Sequence, residues 1–159
     1  MTTVRHDYPA DVETVFARLI DPGYLKRRSE AQGHLNVEVE VTEEGEAVVV
    51  RVSRDVESEI PGFMKKLFSP RNHVVDVTTW RPRGDRRVAT YTVEVGARVH
   101  LDGELELAPR GDGSAYTDSF TAKVRVPVVG KKVAAYVEKE TAAAIRLDCA
   151  FMVRDLAGG

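Results

Sequence analysis

The stretch VPVVGKK, residues Val126–Lys132, and the run that follows it to Leu156 decide how the chain must fold. Pro127 and Gly130 interrupt regular structure, and after them no residue breaks helical spacing before the final pair of glycines. The spacing predicts one helix over Lys131–Leu156, about 39 Å long at 1.5 Å per residue. A helix of this length needs a wide apolar surface to lie on.

The predicted helix is apolar over one broad arc. At 100° per residue seven apolar residues share that arc: Val133, Val137, Ala144, Ile145, Leu147, Phe151 and Met152. Glu140, Thr141 and Asp148 interrupt the arc at positions where a simple core helix would have Leu or Ala. The arc therefore predicts packing against upstream strands, and the interruptions indicate that this face does more than pack.

The composition is that of an ordinary globular protein. With 159 residues, 43% of them apolar and 30% charged, we expect one domain spanning residues 1–159 with a real core. The formal net charge of −2 gives no reason to expect nucleic acid or an anionic membrane as the main partner.

Several classes of site are not expected from this sequence. Cys149 is the only cysteine, which excludes an internal disulfide and a cysteine-rich zinc site. The four histidines have no ligand spacing, and no Gly-rich phosphate loop occurs. The N-terminus lacks the apolar core of a signal peptide, and no run approaches the roughly 18 apolar residues of a membrane span. We therefore expect a cytoplasmic protein without metal, cofactor or transmembrane segment, and its oligomeric state stays open.

Upstream of the long helix the hydrophobic period changes twice, from strand to helix and back to strand. Thr2–Tyr8 alternates as a short strand, and Val12–Leu19 and Tyr24–Ala31 are predicted to form two short helices. Over Leu35–Val126 the period is two, which predicts about six consecutive antiparallel strands, with Gly103 as a bend or bulge. Because strands and helices are segregated, the predicted class is α+β.

Four short strings add a resemblance to a known superfamily. They are Tyr8–Ala10, Asp21–Leu25, Ile60–Phe63 and Val124–Gly130. With the order of elements, they resemble the helix-grip superfamily, also called START-like or SRPBCC, and more narrowly a bacterial subfamily of unknown function within it. The resemblance implies a curved antiparallel sheet of six to seven strands wrapped around the C-terminal helix, with an apolar cavity between them. The superfamily holds carriers, cyclases, oxygenase domains and regulators, so fold alone does not fix function.

A cavity between sheet and helix would be lined by residues on their facing sides. The predicted apolar lining is Val50, Val52, Tyr91, Val93, Phe120, Ala122, Val137, Ala144 and Met152. Small helix residues such as Ala144 would leave space. The alternative is that large side chains fill this space as a solid core.

Polar residues at inward positions are the second candidate feature. His6, Asp118 and Glu140 are predicted to orient the polar head of a ligand, because isolated buried charges are costly and need a partner. Alternatively His6 with Asp118 or Glu140 forms a general acid–base pair. Arg54 is expected to form an ion pair with a carboxylate.

The insert between two early strands is the third candidate. Phe63, Met64, Leu67 and Phe68 form a small apolar face, which predicts a lid at the cavity mouth. A packed connector and a foot on a membrane interface are the alternatives.

These features favour a protein that binds a hydrophobic small molecule or lipid between the sheet and the C-terminal helix. No catalytic residue is assigned. The alternatives are an enzyme of the polyketide cyclase or dehydratase type that uses the same cavity, and an interaction or regulatory domain with a closed core.

Overall fold

The structure is a computed structural model that describes residues 1–158. Its elements in chain order are β1 (Thr2–Tyr8), α1 (Val12–Leu19), α2 (Pro22–Ala31), β2 (Leu35–Glu44), β3 (Ala47–Glu57), a 3-10 turn (Gly62–Met64), β4 (Arg71–Arg83), β5 (Arg86–Val95), β6 (Val99–Arg110), β7 (Gly113–Val124) and α3 (Gly130–Leu156). None of the helices in this part of the chain is long and apolar enough to cross a membrane.

The seven strands form one antiparallel sheet in the order β1-β7-β6-β5-β4-β3-β2. Inward-facing residues form rows across it, for example Asp76, Val93 and Leu101 on β4, β5 and β6. The long C-terminal helix and the two short helices after β1 lie where the sequence predicted them. The predicted α+β, helix-grip fold is therefore confirmed.

Local signals in the sequence explain where the short helices begin. The carboxylate of Asp11 accepts a hydrogen bond from the Thr14 amide at 2.8 Å, and Asp21 caps α2 in the same way through the Tyr24 amide. Pro22 occupies the first turn of α2, where its missing N–H has little cost. These caps start both helices just after β1, so that they cover one end of the sheet.

Helix α3 packs mainly against β7 and β1 at one edge of the sheet. Its buried residues are Val133, Ala142, Ile145, Cys149 and Met152. Glu138 fastens the helix there, because its carboxylate accepts hydrogen bonds from the Thr2 hydroxyl at 2.6 Å and from the Ala122 amide at 3.1 Å. The opposite side of α3 does not pack against the sheet.

The C-terminal end of α3 is tied to the two short helices. Asp155 accepts a hydrogen bond from Arg18 of α1 at 2.8 Å and from Arg27 of α2 at 2.9 Å. Tyr24 of α2 packs edge-on against Phe151 of α3, with ring centres 5.5 Å apart. Together these contacts fix α1, α2 and α3 around one end of the sheet.

Three details differ from the sequence prediction. Gly103 does not form a bulge, since β6 pairs in register with both neighbouring strands through it. Leu147, predicted on the packed arc, is 58% exposed, and Cys149, which is not among the residues of the predicted arc, is only 2% exposed. The buried stripe of α3 is therefore rotated toward Cys149, because the helix packs on one edge of the sheet rather than across its middle.

The backbone just before α3 is strained at Val128. This residue has φ of 70°, and its side chain is fully exposed. A β-branched residue in the left-handed region is destabilised by roughly 1–2 kcal/mol relative to a relaxed backbone.

We predict that Val128→Gly raises the free energy of unfolding by about 1 kcal/mol, because glycine adopts this backbone without the Cβ clash and no buried contact is lost. Urea unfolding monitored by circular dichroism measures the change. Val128→Ala is the matched control, since it keeps Cβ and should gain at most a few tenths of a kcal/mol. Equal gains for both variants would contradict the strain explanation.

Candidate functional site

A cavity of about 480 Å³ lies between the unpacked side of α3 and the inner face of the sheet. Strands β3, β4 and β5 form its main wall, α3 lies opposite, and β6 and β7 supply Leu101, Leu105 and Asp118. Helix α2 closes one end and the β3–β4 connector (residues 58–70) closes the other. Its size is within the range of sites for small organic ligands, about 300–1,000 Å³.

The part of the cavity next to the connector is apolar. Its lining comes from the connector, from the adjoining ends of the strands and from α3: Val56, Ile60, Met64, Phe68, Val74, Val93, Val95, Val99, Leu101, Val137 and Ala144. Strand pairing brings Val74, Val95 and Val99 into one row of the inner face. This region offers mainly hydrocarbon to a ligand, with Ser58, Ser69 and Asn72 as polar residues of the same lining.

The part next to α2 is polar and charged. Arg54 of β3 donates a hydrogen bond to Asp76 of β4 at 2.6 Å. Arg28 of α2 lies 3.5 Å from Asp148 of α3, which also accepts a hydrogen bond from Gln32. The expected ion pair of Arg54 with a carboxylate is therefore present. These pairs balance charges that would otherwise be costly in a partly buried site.

His34 belongs to the same polar region, just after α2. Its Nδ1 lies 2.7 Å from the buried hydroxyl of Ser29. Burial and the nearby guanidinium groups of Arg54 and Arg28 lower the pKa of His34 to about 4. The imidazole is therefore neutral at pH 7 and adds no positive charge to the cavity.

Asp118 is the most deeply buried charged group, with 4% of its surface exposed. Its Oδ1 accepts a hydrogen bond of 2.6 Å from the Tyr91 hydroxyl, which reaches over from β5 to β7. Burial raises the pKa of Asp118 to about 6, although the hydrogen bond from Tyr91 acts in the opposite direction. Burial and this carboxylate raise the pKa of Tyr91 well above its ordinary value.

Gly103 makes the contact between Tyr91 and Asp118 possible. It lies on β6 directly opposite Tyr91, and a Cβ at this position would overlap the Tyr91 ring. Because glycine has no side chain, the ring can lie across β6 and place its hydroxyl beside β7. The sequence signal at Gly103 thus marks a close approach of a side chain, not a bulge.

The predicted ligand-binding residues divide into two groups. Those that line the cavity are Tyr91, Val93, Asp118, Val137, Glu140 and Ala144. Those that lie outside its lining are His6, Val50, Val52, Phe120, Ala122 and Met152. The residues of the second group do not reach the cavity, because α3 packs on β1 and β7 and α2 packs on β2. They belong to the packed core or lie at its border.

The possible acid–base pair of His6 with Asp118 or Glu140 is not assembled. The His6 ring packs against the Tyr8 ring, with centres 4.8 Å apart. Within residues 1–158, no hydrogen bond joins any two of His6, Asp118 and Glu140. Only Asp118 and Glu140 face the cavity, and Glu140 is exposed at its mouth.

The predicted lid residues also fall into two groups, those that line the cavity and those that do not. Met64 and Phe68 line the cavity, whereas Leu67 is partly exposed and Phe63 lies against Lys132 of α3, 4.1 Å from ring centre to ammonium. The backbone of the insert forms a 3-10 turn over Gly62–Met64. The connector is further tied to α3 by the Tyr136 hydroxyl, which donates to the Glu59 carbonyl at 3.2 Å.

Sequence reasoning missed several polar lining residues, among them Arg28, Asp76 and His34. Asp76 alternates with Val74 and Thr78, so the period of two did place it inward. Arg28 follows the buried Tyr24 by one helical turn, which puts both on the same face of α2. In the described part of the chain, no group of three or more His, Cys, Asp or Glu side chains is arranged to hold a metal ion.

A comparison with known protein families finds a match. The family described as "Protein of unknown function (DUF2505)" matches residues 3–155. The chain belongs to this family. A comparison of this DUF2505 chain with curated proteins finds no match.

Solved structures with the same fold cover nearly the whole DUF2505 chain. TTHA0849 from Thermus thermophilus is 16% identical with a TM-score of 0.66, over 99% of this chain and 97% of that chain. The lipid transfer and protein localization domain of human StarD13 (DLC2) is 13% identical with a TM-score of 0.63, over 94% and 75%.

A third example is the STAR-related lipid transfer protein (fragment 25–204) from Xanthomonas axonopodis, 14% identical with a TM-score of 0.61, over 94% and 84%. At these identities the likeness shows the fold alone, and that fold is the START-like one.

We predict that Gly103→Ala lowers the free energy of unfolding by about 2 kcal/mol or more, because the added methyl group displaces the Tyr91 ring and breaks its hydrogen bond to Asp118. Urea unfolding measures the loss. Gly62→Ala is the matched control, since nothing lies within 4 Å of a Cβ there. A loss at Gly103 no greater than that at Gly62 would show that Tyr91 does not depend on the glycine.

We predict a pH-dependent gain in stability from Asp118→Asn. The folded state holds the Asp118 proton more tightly than the unfolded state, so the free energy of unfolding falls as pH rises from about 4 to about 6. Asparagine keeps an acceptor for Tyr91 without the charge. The variant should therefore gain roughly 2 kcal/mol more over the wild type at pH 7 than at pH 4.

Unfolding in urea at both pH values, for wild type, Asp118→Asn and the exposed control Asp85→Asn, checks this prediction. A gain that is the same at pH 4 and pH 7 would contradict the raised pKa of Asp118. The control should show no difference between the two pH values, since Asp85 lies in the exposed β4–β5 turn.

Proposed function

We propose that the protein binds a hydrophobic small molecule or lipid in the cavity between the sheet and α3. The observation that carries this proposal is the cavity itself, about 480 Å³ in volume, apolar next to the connector and polar next to α2. Burial of apolar surface contributes roughly 25 cal/mol per Å² before ordering costs are subtracted. A ligand with a hydrocarbon body and a polar head would match both parts.

The position of the polar groups supports an amphipathic ligand. Arg54 and Asp76 are adjacent to the valines of the inner face, so a molecule that fills the apolar part reaches the charged part within the same cavity. Asp118 and Tyr91 lie deeper on the same wall. A few polar groups in an otherwise apolar pocket fix the orientation of a ligand.

The structural neighbours support the same class of ligand. Two of them are described as a lipid transfer protein and a lipid transfer domain. Because the identities are 13–14%, their ligands are not transferred, and the proposal remains at the level of a hydrophobic molecule or lipid.

The two alternative functions fit this site less well. A closed-core interaction domain would not leave a cavity of this size. A cyclase or dehydratase that used His6 as a general base would need His6 in the cavity, but His6 packs against Tyr8 instead.

The connector would act as the gate in this proposal. Met64 and Phe68 cover the apolar part of the cavity, and the contacts of Phe63 with Lys132 and of Glu59 with Tyr136 hold the connector against α3. Ligand entry would require these few contacts to open, whereas the sheet would stay unchanged.

We predict that Ala144→Phe weakens binding of a hydrophobic probe, because the added ring occupies the apolar part of the cavity. The probe is N-phenyl-1-naphthylamine, an uncharged dye whose fluorescence rises in apolar surroundings. Saturable dye fluorescence and a rise in Tm with dye concentration would both report binding to the wild type. The affinity of Ala144→Phe should fall at least about tenfold.

Ala135→Phe is the matched control, since Ala135 is an exposed residue of α3 outside the cavity lining. It should bind the dye as the wild type does. Absence of saturable binding to the wild type, or equal binding to both phenylalanine variants, would overturn the proposed function.

A further inference from the structure

The cavity is lined by more acidic than basic side chains. Besides His34, six of its lining side chains are acidic or basic: Arg28, Arg54, Asp76, Asp118, Glu140 and Asp148. His34 is neutral there, since its pKa is about 4. The lining therefore has two positive and four negative groups, and its excess charge is negative.

Both arginines are already engaged by aspartates. Arg54 Nη1 lies 2.6 Å from Asp76, and Arg28 Nε lies 3.5 Å from Asp148. An anionic head group would have to compete with these carboxylates for the guanidinium groups. It would also bring another negative charge into a cavity that already has two carboxylates in excess.

The deeper of the two excess carboxylates is Asp118. Asp118 lines the cavity, and only 4% of its surface is exposed. Within residues 1–158, no cation lies within 4.0 Å of its carboxylate. The Tyr91 hydroxyl donates to Oδ1, and a hydrogen bond from the Tyr116 hydroxyl also favours the ionised form of Asp118. A buried carboxylate whose partners are neutral hydroxyl groups is a strong acceptor for a charged donor.

We propose that the cavity selects amphiphiles whose head group is a protonated amine, with Asp118 as its ion-pair partner. This inference rests on the proposed function and adds the chemical class of the head group. A protonated amine donates up to three hydrogen bonds, so it can bind the Asp118 carboxylate and offset the excess negative charge. A hydroxyl head would satisfy the acceptor without offsetting the charge, and a carboxylate head would add to it.

The test compares three ligands with the same ten-carbon chain: decylamine, decanol and decanoate. Each displaces N-phenyl-1-naphthylamine from the wild type near pH 7, at concentrations below micelle formation. Decylamine should bind at least about fivefold more tightly than either of the others. Asp118→Asn should remove this preference, and the exposed control Asp85→Asn should behave as the wild type.

The outcomes separate the inference from the proposed function. If the dye binds but decylamine has less than about a fivefold advantage over decanol or decanoate, the inference is overturned and the proposed function stands. Retention of the preference in Asp118→Asn also overturns it. If neither the dye nor any ten-carbon ligand binds the wild type, the proposed function itself fails.

A second measurement needs no variant and covers the case in which Asp118→Asn does not fold. Between pH 7 and pH 5 the affinity of the wild type for decylamine should fall, since Asp118 becomes protonated, while decanol affinity stays constant. The groups that face Asp118 are Tyr91, Tyr116, Arg28 and Asp148. Decylamine affinity that does not change over this range would overturn the proposed ion pair.

Discussion

The width of the sheet compared with the width of one helix is the constraint on which this structure depends. An α-helix with its side chains is about 10 Å wide, whereas seven strands spaced about 4.8 Å apart span roughly 29 Å. Helix α3 lies on β7 and β1, and α1 and α2 lie at one end of the sheet. Part of the inner face of β3, β4 and β5 is left without a packed cover, and the cavity occupies the space in front of it. The cavity thus follows from where α3 is anchored, and Glu138 is a main part of that anchor.

The uncovered side of α3 explains the polar residues on it. Thr141 and Asp148 line the cavity instead of packing on strands, and Asp148 meets Arg28 across the gap between α3 and α2. On the opposite wall Arg54 and Asp76 form a pair between β3 and β4. These ion pairs satisfy charged groups where apolar packing is incomplete, which makes a half-polar, half-apolar cavity compatible with a stable fold.

Much of the fold could be predicted from the sequence, because hydrophobic period, caps and breakers are local signals. The change of period at Leu35 and the uninterrupted helix after Gly130 are examples. The site could be predicted only in part. Period counting shows that Phe120 and Tyr91 both point inward, but not that α3 covers Phe120 and leaves Tyr91 open. That distinction depends on where α3 crosses the sheet. The crossing point is decided by contacts between residues that are far apart in sequence.

The most direct test of a ligand site at this wall is isotope-filtered nuclear Overhauser spectroscopy of the labelled protein with N-phenyl-1-naphthylamine. If the dye binds between α3 and the sheet, its ring protons will show contacts with the methyl groups of Val93, Val95 and Leu101, which line the cavity. Contacts confined to methyl groups of the outer face of the sheet, such as those of Thr90 and Thr121, would contradict the binding site described above.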